Sequence, residues 1–270
     1  MSHAHDNSSG SPIARAFVDA RRAGRAVASY PGVQPGSMDA AYAIQDEAIA
    51  AWPDDVAGWK LGRINAPHDA RFGAGRLAGP IFSKAVWTAG AAPTPFRVID
   101  GGFAAVEAEY LLELGETAPD RDGWTADSVA PLVARVFTGV EIAGSPFAGI
   151  NDHGPAVTAS DFGNNAGLIL GAEIADWRDR LAGLTCSMSI DGAVVGRGGA
   201  ASIPGGPLDS LAFLLNLLHR RGRRLEAGQL ISTGAATGVH DILAGQSAVA
   251  DFGPDGRIEC VAVSAGREPS

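Results

Sequence analysis

Cysteines, membrane-length apolar runs and basic residues are all scarce in this chain. The two cysteines, Cys186 and Cys260, lie far apart in apolar runs, so the sequence offers neither a Cys-x-x-Cys metal site nor a disulfide framework. The longest apolar runs, such as residues 211–218, are far shorter than the roughly 20 residues of a membrane-spanning helix. The opening residues MSHAHDNSSG lack the basic and apolar regions of a signal peptide. We therefore expect a cytoplasmic protein that does not enter a membrane.

The charge balance excludes some classes of partner. The chain has 21 basic against 30 acidic residues, a formal charge of −9, and its basic residues cluster only at 220–224. This distribution argues against a nucleic acid or an anionic membrane as partner and favours small molecules or proteins. With 270 residues, 46% of them hydrophobic, the chain is long enough to bury one substantial core.

The first fifth of the chain is predicted to be helical. Residues 1–12 are small and polar, which is typical of a disordered tail. A helical lead-in over residues 13–55 follows, with Ala-rich helices predicted at 13–29 and 38–52. Ser37 is the expected N-cap of the second helix.

From residue 56 onward, short β-like runs alternate with Gly and Pro. Asp191-Gly192 predicts a two-residue hairpin turn, and residues 208–221 predict one amphipathic helix. Strands and helices do not alternate regularly, so an α+β fold on a large mixed β-roll or sandwich is favoured over a doubly wound parallel sheet. We predict a single catalytic domain over residues 13–270, with its β-roll core at 56–265.

Three glutamates stand where buried strands would carry apolar side chains. In FAAVEAEYLLEL, strand alternation places Glu107 and Glu109 on one face, and GVEIAG carries a lone Glu141. Buried unpaired carboxylates cost several kcal/mol each, which favours a shared cation. An oxygen-only set of ligands suits Mg²⁺ or Mn²⁺. An equally weighted alternative is a solvated edge strand presenting Glu107, Glu109 and Glu113, with Glu141 an unrelated surface residue.

Lys60 is the one charged residue in the run VAGWKLG. A lysine desolvated in such a strand would have a lowered pKa and could relay protons or donate a hydrogen bond to an electrophile. From the residues alone, an ordinary lysine that extends its amine to solvent is the more frequent arrangement.

A glycine-rich segment supplies a rival function. Residues 196–201, GRGGAA, match the G-x-G-x-x-A form of a dinucleotide fingerprint. The segment PGGP at 204–207 follows, and no βαβ unit is predicted around it, so a flexible or substrate-covering loop is favoured over a nucleotide site.

The order of these motifs resembles the fumarylacetoacetate hydrolase superfamily, and within it the branch of 2-oxopent-4-enoate hydratases and 4-oxalocrotonate decarboxylases. The resemblance covers nearly the whole chain from Ile13. It rests on the segments G-W-K-L-G, G-P-I-F, V-E-A-E, V-E-I-A-G, D-F-G-N-N-A-G, V-V-G-R-G and E-A-G-Q-L-I-S-T-G, in this order. One segment departs from the pattern: hydratases of this branch often carry an acidic residue where this chain has Leu77 to Phe82 without a carboxylate.

The resemblance implies a mixed β-roll and a set of site residues. Glu107, Glu109 and Glu141 would form the metal triad for Mg²⁺ or Mn²⁺, and Lys60 would be catalytic. The residues it implies for the pocket wall are Asp161, Asn164, Thr233 and Gly234.

The implied reaction is hydration of 2-hydroxypenta-2,4-dienoate to 4-hydroxy-2-oxopentanoate in aromatic-compound catabolism. Decarboxylation of the 4-oxalocrotonate type, C–C hydrolysis of acylpyruvates and a non-catalytic partner subunit are the alternatives. The resemblance also implies a homo-oligomer and a complex with a decarboxylase or aldolase partner.

Overall fold

The structure, a computed structural model, describes residues 10–266. The predicted disordered tail at 1–12 therefore lies mostly outside the described residues, and the first helix begins at Pro12. The α-helices are α1 (Pro12–Arg22), α2 (Met38–Ala51), α3 (His68–Phe72), α4 (Ala126–Val129), α5 (Pro155–Ser160), α6 (Trp177–Arg180) and α7 (Gly206–Arg220). None of the described helices is long and apolar enough to cross a membrane.

The strands form two mixed sheets. They are β1 (Val56–Arg63), β2 (Arg76–Phe82), β3 (Val86–Thr88), β4 (Thr94–Val98), β5 (Phe103–Leu114), β6 (Val133–Ser145), β7 (Asn165–Glu173), β8 (Thr185–Ile190), β9 (Ala193–Gly199), β10 (Leu230–Ser232), β11 (His240–Asp241), β12 (Ser247–Asp251) and β13 (Arg257–Ser264). The larger sheet has the order β2-β1-β10-β5-β6-β7-β3, with β11 also paired to β5, and the smaller has the order β4-β13-β12-β8-β9. Parallel and antiparallel pairs occur in both sheets. The predicted α+β class with a mixed sheet core is confirmed.

The two lead-in helices are present, but the first is shorter than predicted. Helix α1 ends at Arg22 rather than at residue 29, because Gly24 adopts a left-handed conformation with φ of 58°. The N–H of Arg25 then bonds to the carbonyl of Ala20 at 3.0 Å, which closes the helix. Helix α2 begins as predicted after its N-cap, Ser37, whose side chain accepts from the N–H of Ala40 at 3.2 Å.

Later turn and helix predictions hold with small shifts. Asp191 and Gly192, with φ of 48° and 81°, form the predicted two-residue turn between β8 and β9. Helix α7 starts at Gly206, two residues earlier than predicted, because Pro207 fits its first turn. Most of its leucines, including Leu211 and Leu214, are buried in the main core, and Leu208 is half-buried against it.

The central strands β5 and β6 position the candidate site. They pair antiparallel over almost their full length, and most of their residues are buried. One face of β5 packs Val106, Ala108 and Leu112 into the main core. The opposite face carries the glutamates and then Leu111, which belongs to a separate apolar cluster. Apolar packing on both sides therefore fixes the strand that carries two carboxylates.

Candidate metal centre and cleft

Strand register brings the three predicted glutamates together. Glu107 on β5 lies directly opposite Glu141 on β6, and Glu109 follows two residues later on the same face. One carboxylate oxygen from each residue lies within 4.8 Å of those of the other two, and all three residues are buried. The alternative in which Glu107 and Glu109 lie on a solvated edge strand does not fit, because β5 lies in the interior of its sheet.

Glu109 and Glu141 each have one carboxylate oxygen that accepts hydrogen bonds from neighbouring residues and one that does not. Oε2 of Glu109 accepts from the hydroxyl of Ser232 at 2.6 Å and from the N–H of Gly234 at 2.8 Å. Oε1 of Glu141 accepts from Nδ2 of Asn165 at 3.1 Å. The other oxygens, Oε1 of Glu109 and Oε2 of Glu141, are buried and have no hydrogen-bond partner among the described residues. Buried polar atoms without partners are rare in folded proteins, and a hard divalent cation would satisfy both.

Burial and mutual repulsion hold protons on this cluster. Burial, followed by the charge of Glu141, raises the pKa of Glu107 to about 8, with Lys60 acting in the opposite direction. Burial and the two neighbouring carboxylates also raise the pKa of Glu109 well above its ordinary value. Three carboxylates this close cannot all ionise at low cost without a cation.

Lys60 is the positive group nearest the triad. It lies on β1, which pairs in parallel with β10 and places Lys60 beside Ser232. Its Nζ lies 3.2 Å from Oε1 of Glu141 and donates to Oδ1 of Asn164 at 3.0 Å. Burial by itself would lower the pKa of Lys60, but attraction to the three glutamates outweighs it and raises the pKa. The lowered pKa predicted from the sequence is therefore wrong, since the apolar neighbours on β1 gave no sign of the carboxylates across the sheet.

A left-handed turn presents Asn164 to Lys60. We call residues 162–164 the left-handed turn, because Phe162, Gly163 and Asn164 have φ of 54°, 62° and 57°. The turn packs against Gly79 of β2, where an added Cβ would lie 1.9 Å from the carbonyl oxygen of Phe162. Gly79 is the partner of Lys60 across β1 and β2. The missing side chain at Gly79 thus lets the turn approach the lysine.

The site opens into a cleft of about 970 Å³. Lys60, Glu107 and three of the four predicted wall residues, Asn164, Thr233 and Gly234, line this cleft. The hydroxyl of Thr233 donates to the carbonyl of Tyr110 at 2.7 Å, which fixes the segment that follows β10. A cleft of this size fits a small organic acid with room for an extended chain.

Asp161, the fourth predicted wall residue, lies behind the cleft. Its side chain is fully buried and forms an ion pair with Arg21, with Nε 2.6 Å from Oδ1. The hydroxyl of Ser145 donates to Oδ2 at 2.6 Å. Since both carboxylate oxygens have protein partners, contact of Asp161 with a substrate stays a prediction.

Sequence reasoning missed the residues that orient the charged groups. Ser232 and Asn165 bond to the glutamates, and Asn151 accepts from Nδ2 of Asn164 at 3.0 Å. Ser232 and Asn165 lie inside segments that carried the resemblance, but a single sequence does not show which glutamate each would contact. The link between Arg21 and Asp161 spans 140 positions and had no sequence signal.

The glycine-rich segment 196–201 does not lie in a nucleotide-binding unit. It begins on β9, an edge strand that pairs antiparallel with β8. Neighbouring backbone fills the space at its glycines, since a Cβ on Gly198 would lie 1.9 Å from the carbonyl oxygen of Ala236. The setting is a hairpin rather than a βαβ crossover.

Known structures share this arrangement of strands. The 4-oxalocrotonate decarboxylase of Pseudomonas putida G7, complexed with magnesium and adipate, superposes with a TM-score of 0.77 at 20% identity, covering 93% of this chain and 96% of that one. The fumarylpyruvate hydrolase of Pseudomonas aeruginosa, in complex with Mn²⁺ and pyruvate, gives a TM-score of 0.55 at 15% identity, covering 76% and 88%. The chain has the fumarylacetoacetate hydrolase fold.

Sequence comparison supports the same branch of the fumarylacetoacetate hydrolase superfamily. A 2-keto-4-pentenoate hydratase of Burkholderia vietnamiensis is 29% identical over 238 residues, which cover 85% of this chain and 88% of the relative. No family model matches the chain. The resemblance predicted from the sequence motifs is confirmed, and the metals in the solved structures agree with the predicted divalent cofactor.

Proposed function

We propose that this protein is a divalent-metal-dependent lyase acting on a small 2-oxo acid. The observation that carries the proposal is a pair of buried oxygens, on Glu109 and Glu141, that have no hydrogen-bond partner within residues 10–266 and lie beside a third carboxylate within 4.8 Å. A cation at this point would be held by Glu107, Glu109 and Glu141. All three ligands are hard oxygen donors, so Mg²⁺ or Mn²⁺ is the fitting ion.

The metal and the lysine would serve different parts of the substrate. A bound divalent cation supplies Lewis-acid chemistry, stabilising negative charge on the carboxylate and 2-oxo oxygens of a chelating acid. In the metal-free protein, burial opposes but the neighbouring carboxylates raise the pKa of Lys60, and Asn164 and Glu141 hold its amine beside the triad. We assign Lys60 the delivery of a proton to the carbon chain of the substrate.

Hydration of 2-hydroxypenta-2,4-dienoate to 4-hydroxy-2-oxopentanoate is the first reaction to test. It is supported by the 29% identity to a protein named 2-keto-4-pentenoate hydratase. In this reaction, a proton added at C5 and loss of the 2-hydroxyl proton convert the dienol into an enone, to which water adds with its hydroxyl at C4 and a proton at C3. The product would enter aromatic-compound catabolism as a small hydroxy-oxo acid.

Decarboxylation of the 4-oxalocrotonate type is the second candidate. It is favoured by the similarity to a decarboxylase structure over 93% of the chain. The stretch from Leu77 to Phe82 points the same way, since β2 is buried there and carries no carboxylate to move a proton to or from water.

Two other activities remain alternatives: C–C hydrolysis of acylpyruvates and a role as a non-catalytic partner subunit. Assembly into a homo-oligomer, or into a complex with a decarboxylase or aldolase, stays a prediction.

A substrate panel with matched variants tests the proposal. Purified protein with Mg²⁺ should convert 2-hydroxypenta-2,4-dienoate or 4-oxalocrotonate, and the product distinguishes the two reactions: a 4-hydroxy-2-oxo acid for hydration, CO₂ for decarboxylation. Glu109→Gln should abolish turnover. Glu113→Gln, on the same strand but paired with Arg135 outside the site, should retain it. Equal turnover in both variants would refute the assigned site, and no turnover of any 2-oxo acid by the parent would favour a non-catalytic subunit.

A further inference from the structure

Arg21 forms hydrogen bonds at both ends of the left-handed turn. Its guanidinium donates to Oδ1 and Oδ2 of Asp161 at 2.6 and 2.9 Å, just before the turn. It also donates to the carbonyl of Asn165 at 2.9 Å, just after the turn, and to the carbonyl of Gly144 on β6 at 2.8 Å. Only the forked, planar head group of arginine can reach all of these acceptors at once.

Arg21 also contacts a residue within the turn, Phe162. The Cζ atom of Arg21 lies 5.2 Å from the centre of the Phe162 ring. Phe162 is a bulky residue in the left-handed region, a conformation that is unfavourable for such residues and persists only where the surroundings enforce it. Ser145 adds a second bond to Asp161 at 2.6 Å. Gly163 and Asn164 adopt the left-handed region readily, so Phe162 is the residue of the turn that depends on side chains outside it.

The turn leads directly to the charged groups of the site. Asn164, its last residue, accepts from Nζ of Lys60 at 3.0 Å. Asn165, the next residue, donates to Oε1 of Glu141 at 3.1 Å. Lys60 and Glu141 are thus oriented by adjacent residues, and Arg21 bonds to the backbone on either side of Asn164, at Asp161 and Asn165.

We propose that Arg21 is a positioning residue of the active site, acting through the left-handed turn on Lys60 and Glu141. This inference rests on the proposed function for its effect on turnover, but its effect on metal binding can be measured separately. Arg21 is 9% exposed and belongs to α1, so the helical lead-in takes part in building the site.

The test compares Arg21→Lys with Arg22→Ala. The first variant keeps the charge and removes the fork, while Arg22 is the exposed neighbour in the same last helical turn. We expect Arg21→Lys to weaken Mn²⁺ binding and to lower kcat, each by about 10-fold, the lower end of the range for residues that orient metal ligands. KM should change less than kcat. Arg22→Ala should match the parent in Mn²⁺ titration, followed by the paramagnetic resonance of the free ion, and in turnover.

A double variant separates positioning from simple support of the fold. If Arg21 acts through the turn, Arg21→Lys combined with Asn164→Ala should lower kcat by less than the product of the two single effects. If Arg21 only anchors α1 to the rest of the fold, Arg21→Lys should lower the unfolding temperature and leave the Mn²⁺ affinity unchanged. Its loss of kcat should then add to that of Asn164→Ala. These results would overturn the proposal.

Two further variants settle the remaining outcomes. If Arg21→Lys does not fold, Ser145→Ala replaces it: a several-fold weaker Mn²⁺ affinity supports the proposal, and an unchanged affinity refutes it. Glu109→Gln separates this inference from the proposed function. If Glu109→Gln binds Mn²⁺ as tightly as the parent, the metal site itself is wrong. If Glu109→Gln loses affinity and Arg21→Lys does not, only the role of Arg21 is wrong.

Discussion

Metal binding to the three glutamates should release protons near neutral pH. Burial and the charge of Glu141 raise the pKa of Glu107 to about 8, and the pKa of Glu109 is raised as well. A metal ligand must be the ionised carboxylate. Addition of Mg²⁺ should therefore displace protons from the glutamates, and the number of protons released measures how far Glu107 and Glu109 are protonated before the metal binds.

The size of the effect follows from the pKa of Glu107. With a pKa of about 8, Glu107 is protonated in about nine-tenths of the molecules at pH 7, so binding should release at least about 0.9 proton. Protons from Glu109 would add to this number. The apparent affinity should rise about 10-fold per pH unit up to pH 8 from Glu107 alone, which corresponds to about 1.4 kcal/mol per unit.

Calorimetric titration in two buffers measures the released protons. Titrations with Mg²⁺ at pH 7 in PIPES and in Tris differ in heat by the number of protons released times the difference in buffer ionisation enthalpy. Glu113→Gln should release as many protons as the parent, because Glu113 pairs with Arg135 away from the site. Identical heats in both buffers would show that the carboxylates ionise before the metal arrives, and the reasoning from burial would then be wrong.

Four further outcomes are expected. Glu109→Gln should weaken Mg²⁺ or Mn²⁺ binding at least about 10-fold in calorimetry, and an unchanged affinity would remove Glu109 from the triad. Lys60→Met should lower turnover about 10²- to 10⁴-fold with metal affinity largely kept, whereas Lys84→Met, at a side chain that is 77% exposed, should have no effect; equal rates would return Lys60 to a structural role. Because the pKa of Glu107 rises from 4.5 to about 8 on folding, the folded chain holds a proton that the unfolded chain has lost between these values. The unfolding temperature of metal-free protein should therefore fall from pH 6 to pH 8, Mg²⁺ should raise it more at pH 8, and the opposite trend in thermal scans would contradict this. Light scattering should show a homo-oligomer, and a 27.5 kDa monomer at every concentration would exclude it.

Local pattern singles out the three candidate glutamates, and the family resemblance is what favours a shared metal over a solvated edge strand. Strand alternation alone places Glu107 and Glu109 on one face of β5. The position of Glu141 opposite Glu107 depends on how β5 pairs with β6, and pairing register is a long-range property. The sequence therefore indicates the candidate ligands, while the distances between them depend on the fold.

The environment of each charged group is much harder to predict. The apolar neighbours of Lys60 on β1 predict a lowered pKa, yet its pKa rises because carboxylates from other strands surround the amine. The end of the first helix is misplaced for a different and local reason. Ala-rich sequence continues past Arg22, and the left-handed Gly24 is what ends the helix.

The ion pair between Arg21 and Asp161 can form only late during synthesis of the chain. Asp161 lies 140 positions after Arg21, so at about 5 to 20 residues per second the ribosome needs roughly 7 to 28 s to supply it. Until then Arg21 cannot form its bidentate ion pair with Asp161. Phe17, in the same helix, likewise cannot pack in one apolar cluster with Phe147, which also comes later in the chain. Helix α1 can therefore pack against Tyr30 and α2 as soon as these follow it, whereas its contacts with Asp161 and Phe147 form only after the central strands have been made.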